Sequence, residues 1–340
     1  MKRVAVVVAA VVGVVVLAVG GRVLAGDLET GAGGDAGAGV GGARGGGSGT
    51  PPVAEAAVDP AAPGWRWESY GVVKVQVPDT WADSTYTHLW SCGDRKGPDG
   101  ANRTPLVGRP WRGPTLMMAC PPTPPLAERV PHLWFGEFEA EPGITRFDHG
   151  WVSEVRVVAG VPLTVFSDDA ALRRRILDSA ERMGGTDPHG CSVARPAVLG
   201  DGKRPTGPGL AAIGEVTSIR VCAYSHGTPR EPAGFQAGLL ISGETARGLG
   251  DALRAAPPGV GPTVGASNCE HDAQRDDLLV TVHGRTGVQA VVVRYATCRS
   301  NGTDDGITLR RLTKATMVPL AKVLYAKYAP LPVLDDLGAR

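Results

Sequence analysis

Residues 4–21, VAVVVAAVVGVVVLAVGG, run for 18 positions without a charge directly behind Met1-Lys2-Arg3. No other feature constrains the chain so strongly, because this one sets the compartment in which the rest must fold. As a helix rising about 1.5 Å per residue, the run extends about 27 Å, close to the hydrocarbon thickness of a bilayer. Lys2 and Arg3 hold the N-terminus in the cytoplasm and send the remainder outward. The run exceeds the about 7–15 apolar residues of a secretory signal, which favours a retained single-pass anchor in the cell membrane. The alternative is secretion after cleavage at Val23-Leu24-Ala25, near Ala25. No cysteine follows the run to carry a lipid. Either way, the downstream chain is expected outside the cytoplasm.

That expectation decides how the six cysteines are read. Fifteen pairings exist, and spacing favours the sequential one. Cys92 and Cys120 are 28 residues apart, Cys191 and Cys222 are 31 apart, and Cys269 and Cys298 are 29 apart. Loops of this length stabilise the folded state by about 3–4 kcal/mol each in the chain-entropy account. No Cys-x-x-Cys is present, and Cys269-Glu270-His271 is too local to cage a metal, so disulfides rather than a metal site are expected.

Residues 26–64 are rich in Gly, Ala and Pro and too poor in apolar side chains to order themselves, and they read as a disordered tether. Two α+β domains are expected beyond it, at 65–186 and 187–330, with 331–340 as a tail. In the first, residues 70–77 alternate apolar and polar up to Pro78-Asp79 and predict a half-buried strand. Residues 116–119, 133–138, 154–158 and 161–166 predict further strands, with Ala159-Gly160 as a tight hairpin turn. Ser167-Asp168-Asp169 offers capping oxygens to a helix through Leu172, Ile176, Leu177, Ala180 and Met183, which Gly184-Gly185 ends. In the second domain, strands are predicted at 217–224, 238–242, 278–283 and 288–296, the last two joined at Gly284-Arg-Thr-Gly287. Ser242 is expected to cap a helix that Pro257-Pro258 ends, and Pro319 to open a helix carrying Leu320, Val323, Leu324 and Tyr328. The fold class is therefore α+β, with antiparallel sheets closed by helices.

The segment Gly71-Val-Val-Lys-Val-Gln-Val-Pro-Asp-Thr-Trp81, followed by Asp168-Asp169 and Arg175-Ile-Leu-Asp-Ser179, resembles the Mog1/PsbP-like domains of exported actinobacterial lipoproteins. The resemblance covers the two ends of residues 65–185. It implies an α/β/α sandwich used for binding or scaffolding and brings no catalytic motif with it. A composition with 28 arginines against 7 lysines fits a GC-rich genome of that kind.

Catalytic signatures are missing. The seven histidines (88, 132, 149, 189, 226, 271 and 283) form no His-x-x-x-His pair and read as exposed or internally satisfied. Asp148-His149 is an adjacent acid and imidazole, and His283 is placed in a turn. There is no Gly-x-Ser-x-Gly, no Ser-x-x-Lys and no P-loop. Asp276-Asp277 and Asp304-Asp305 are paired carboxylates expected in polar loops, and Asn301-Gly-Thr-Asp-Asp-Gly306 supplies a calcium-loop pattern only in part. No cofactor, metal or catalytic residue is assigned. A formal charge of +1 argues against nucleic acid as a partner.

All seven tryptophans fall in the first domain. Trp134 and Trp151 read as core. Trp65, Trp67, Trp90 and Trp111 adjoin Gly, Pro or polar residues and are the candidate ligand-binding side chains. The sequence thus points to a non-catalytic binding or interaction protein of the cell envelope, whose partner is an envelope component or a membrane protein. A cell-wall-directed hydrolase and a surface sensor working through a membrane partner are the alternatives.

Overall fold

The computed structural model describes residues 60–84, 104–110, 129–136, 140–227, 234–263, 276–295, 297, 300–321 and 332–338. The apolar run 4–21, most of the tether, the expected strand 116–119, Cys92, Cys120, Cys269, Cys298, Trp90 and Trp111 lie outside them. Among the described residues no helix is long and apolar enough to cross a membrane. The described residues form an α+β architecture with mostly antiparallel sheets and few helices, and among them Cys191 and Cys222 form a disulfide.

The chain is taken up at Pro60, with Ala62 N donating to Gln76 Oε1. Strands β1 (Trp65–Tyr70) and β2 (Val73–Pro78) form an antiparallel hairpin, and β9 (Glu181–Arg182) joins the far side of β2. A six-stranded sheet follows in the order β3 (Ala82–Ser84), β4 (Leu106–Gly108), β5 (His132–Phe135), β8 (Val161–Ser167), β7 (Val152–Val158), β6 (Gly143–Arg146). Helix α1 (Ala170–Asp178) packs on β8 and β2. Val73, Val75 and Val77 from β2 meet Leu133, Phe135, Leu163 and Val165 from the sheet and Ile176 and Leu177 from α1 in one core. Strand β6 lies at the sheet edge with all four residues exposed.

Strands β10 (Val216–Ser225), β11 (Gly234–Ser242), β12 (Asp276–Gly284), β13 (Gly287–Arg294), β14 (Gly302–Asp304) and β15 (Leu309–Arg310) form an antiparallel sheet in the order β11-β10-β12-β13-β14-β15. Successive side chains of a strand point to opposite faces, and β10 is buried on both. Ile219, Val221 and Ala223 face a core completed by α2 (Gly243–Ala255), α3 (Lys314–Leu320) and α4 (Pro332–Asp336). Cys222 and Tyr224 face a second core with Met183, Cys191, Leu199, Phe235 and Val292. The two groups of strands meet where Gly71 N donates to Phe235 O.

Several elements differ from the sequence expectation for identifiable reasons. The strand expected over 70–77 is the second arm of a hairpin that turns at Gly71, whose φ of +59° suits glycine. Trp65-Arg-Trp-Glu-Ser-Tyr70 supplies the first arm, although Glu68-Ser69 breaks the alternation that its partner keeps. Helix α1 stops at Asp178, and the residues expected to continue it form β9 beside β2, carrying Met183 to another core. Strands β3, β4 and β5 run parallel, so the first large sheet is mixed. Pro319 lies inside α3, which starts at a capping box of Thr313 and Thr316. The expected tail contains α4, with Val333 and Leu334 buried. The Ala159-Gly160 turn is as expected, with both residues at positive φ (48° and 84°), the backbone of a type I′ hairpin.

Gly108 is fixed by sterics. It sits opposite Trp134 across the parallel β4–β5 pair, and a Cβ there would fall 2.0 Å from the indole ring. Trp134 is 4% exposed and has no room to retreat. Gly108→Ala is therefore expected to lower stability by about 1–3 kcal/mol, the range for overpacking a filled core. Urea unfolding should show this as a lower midpoint at unchanged slope.

Candidate functional site

Trp65 and Trp67, two residues apart on β1, point to the same face of the small sheet and are both half-buried. Neither ring is bare. The Arg175 guanidinium of α1 lies 3.8 Å from the Trp65 ring centroid, and Lys74 Nζ of β2 lies 4.3 Å from that of Trp67. Lys74 also pairs with Glu181 at 3.1 Å. Ser69, next on the same face, is buried and donates to Asp187 Oδ2. Trp81, by contrast, is in the core.

Asp187 is nearly enclosed, at 4% exposure. Its Oδ1 accepts from the backbone N–H of His189 (3.0 Å) and of Cys191 (2.6 Å), folding residues 187–191 into a tight loop over the disulfide. Burial pushes its carboxyl above the ordinary aspartate value, against the opposing pull of His189 and these hydrogen bonds. Cys191 and Cys222 are 1% and 2% exposed, so the disulfide is a core element with no accessible sulfur. The neighbouring Glu68–Arg109 pair (2.6 Å) is buried too. Burial alone would raise the Glu68 carboxyl, but Arg109 and Arg66 hold it below its usual value.

One cluster carries recognisable acid–base chemistry. Asp277, at the start of β12 and 2% exposed, accepts through Oδ2 from Arg195 Nη2 (2.8 Å) and His226 Nε2 (2.7 Å). Arg195 Nη2 also lies 2.6 Å from His226 Nε2, so the ring nitrogen is held between the guanidinium and the carboxylate. The imidazole remains 27% exposed. A buried carboxylate and an oriented imidazole are two parts of a general-base arrangement; a positioned nucleophile is the third. No sequence pattern joins Arg195 to Asp277, 82 positions apart. Asp276-Asp277 begins a strand rather than lying in a loop.

The other carboxylates and histidines have structural work. Asp304 takes both prongs of Arg204 (2.9 and 2.8 Å), and Asp305 accepts from the N–H groups of Leu210, Ile307 and Thr308 and from Arg310. Burial opposes ionisation of both carboxyls, and these donors nonetheless hold them below the usual range. The partial calcium pattern at 301–306 is thus strand β14 and the turn after it, with Asp304 in the strand rather than in a loop, and both carboxylates already have protein donors. Among the described residues no group of three acidic, His or Cys side chains is placed to hold a metal. Asp148 and His149 lie together in an exposed turn, and His283 belongs to β12 rather than to the turn after it.

His132 is buried at 5% exposure, with Nδ1 donating to Val130 O (2.9 Å) and its ring stacked on Phe166 at 5.0 Å. Phe166 is stacked again by Trp151 at 4.7 Å, and the Arg129 guanidinium lies over its ring at 5.5 Å. Burial drives the His132 pKa down from 6.5 to about 4. In the unfolded chain His132 takes up a proton near pH 6.5, whereas the native ring does so only near 4. Its contribution to stability is complete above 6.5 and is lost as pH falls to about 4, a change of about 3 kcal/mol. His132→Asn keeps a donor for the Val130 carbonyl but does not titrate. Urea unfolding at pH 7, 5.5 and 4 should show this acid-side loss in the native chain and its absence in the variant.

Comparison of the chain with protein families, with curated proteins and with solved structures finds no match.

Proposed function

We propose that the chain is a non-catalytic, extracytoplasmic binding protein of the cell envelope, held at the membrane by residues 4–21 and facing outward. The observation that carries this reading is the pair Trp65 and Trp67, side by side on one strand and half-buried, on a fold with a buried disulfide in its core. Indole rings in that position offer a large contact area with little conformational freedom to lose. The disulfide suits an oxidising compartment. The buried acidic groups Glu68, Asp187, Asp304 and Asp305 are each engaged in holding an arginine or a loop.

The test is co-sedimentation of the oxidised full-length chain, kept in detergent, with purified envelope polymer. Saturable pelleting is expected. A chain that stays in the supernatant at every polymer concentration overturns the reading and favours a membrane-protein partner.

A hydrolytic reading has one observation in its favour, the Asp277–His226 pair. If His226 acts as a base on water, Asp277→Asn removes the charge that orients and supports the imidazolium. It would then lower hydrolysis of envelope polymer by orders of magnitude while leaving pelleting unchanged. The binding reading expects no hydrolysis by either chain.

A further inference from the structure

We propose that the Trp65–Trp67 face binds an anionic glycan, with a carboxylate or phosphate group on Arg175 and the sugar beside the cation-covered indoles. This deepens the envelope-binding reading and rests on it.

The argument starts from Arg175. It projects from α1 as an exposed side chain, yet its guanidinium lies 3.8 Å from the Trp65 ring centroid. A guanidinium over an indole spends its flat face on the ring's quadrupole and keeps its N–H donors at the rim. Among the described residues no carboxylate or carbonyl accepts from those donors. Other arginines of the fold are engaged differently. Arg109 binds Glu68, Arg195 binds Asp277, Arg204 binds Asp304, and Arg220 and Arg254 bind backbone carbonyls. Arg175 is thus a held cation presenting a planar fork, the shape that takes a carboxylate or phosphate in two parallel hydrogen bonds.

The surroundings supply the rest of the preference. Trp67 follows along β1 at about 7 Å, the rise of two strand residues. Lys74 places a second positive charge over it. Lys74, 15% exposed, also pairs with Glu181, which is 57% exposed. Gln76, opposite Trp67 in the ladder, adds an amide to the same face. Two cations, each held over an indole, and an amide on one small surface match a ligand that is part ring and part anion. A neutral glycan leaves the Arg175 donors without an acceptor.

The experiment is isothermal titration of the oxidised full-length chain in detergent with three probes: oligogalacturonate, phosphorylated dextran and unmodified dextran. At least one anionic probe should bind, the neutral one at least about tenfold more weakly, and rising salt should weaken the anionic complex. Arg175→Gln should lower anionic affinity about tenfold or more, the loss expected for a hydrogen bond to a charged group. Arg174→Gln, an exposed neighbour on the same helix, should change little. Equal binding of dextran, or an Arg175→Gln chain that binds like the parent, overturns the proposal. Probes that all fail while the chain still pellets with envelope polymer overturn it and leave the broader reading standing. Failure of both overturns both.

Discussion

Much of this structure depends on one enclosed carboxyl, that of Asp187. It accepts from Ser69 on β1 and from the backbone beside Cys191, and so ties the N-terminal hairpin to the loop that covers the disulfide. The arrangement requires Gly238 on β11, where a Cβ would fall 2.2 Å from the carboxyl oxygen and 3.0 Å from the Cys191 sulfur. Burying a carboxyl is costly unless donors surround it. Here they come from two places in the chain, Ser69 of the hairpin and the N–H groups of His189 and Cys191 in the loop, so the acid settles only when hairpin and loop are both in position. The raised pKa of Asp187 reflects that enclosure.

The central strand β10 explains why the disulfide lies where it does. Its alternate residues serve two cores, one closed by helices and one closed by the loop from Met183 to Leu199. A loop without regular hydrogen bonding covers a sheet less firmly than a helix does. The covalent link from Cys191 to Cys222 pins this loop to the strand beneath it. Tyr224, two residues along the same face, adds a hydrogen bond from its hydroxyl to Ser192 O.

The legible parts of the sequence were those governed by local rules. The 161–166 strand, the Ala159-Gly160 turn, the Asp169 cap and the β12–β13 hairpin follow from alternation, turn chemistry and capping, which act over a few residues. Local rules fail where a distant partner decides. Residues 181–182 follow a helical pattern but are drawn into a strand by β2, and the Thr313–Thr316 capping box starts α3 five residues ahead of Pro319, which the proline rule alone would have made the opening residue. The Asp277–His226–Arg195 cluster was not legible at all, since β10, β12 and an irregular loop bring it together. Of the four tryptophans singled out, Trp65 and Trp67 share a face, but the cations over their rings come from β2 and α1, positions with no sequence tie to them.

Strand β6 has a consequence of its own. Its residues are exposed on both sides, and among the described residues only β7 pairs with it. A bare strand edge is a template on which another chain can add itself. The chain blunts this edge by ordinary means. Pro142 precedes the strand and lacks an N–H, Arg146 ends it with a charge, and four residues are too few for a long zipper. An open margin of this kind offers an added strand few places to pair, and the deterrent lies in the grammar of a single short segment.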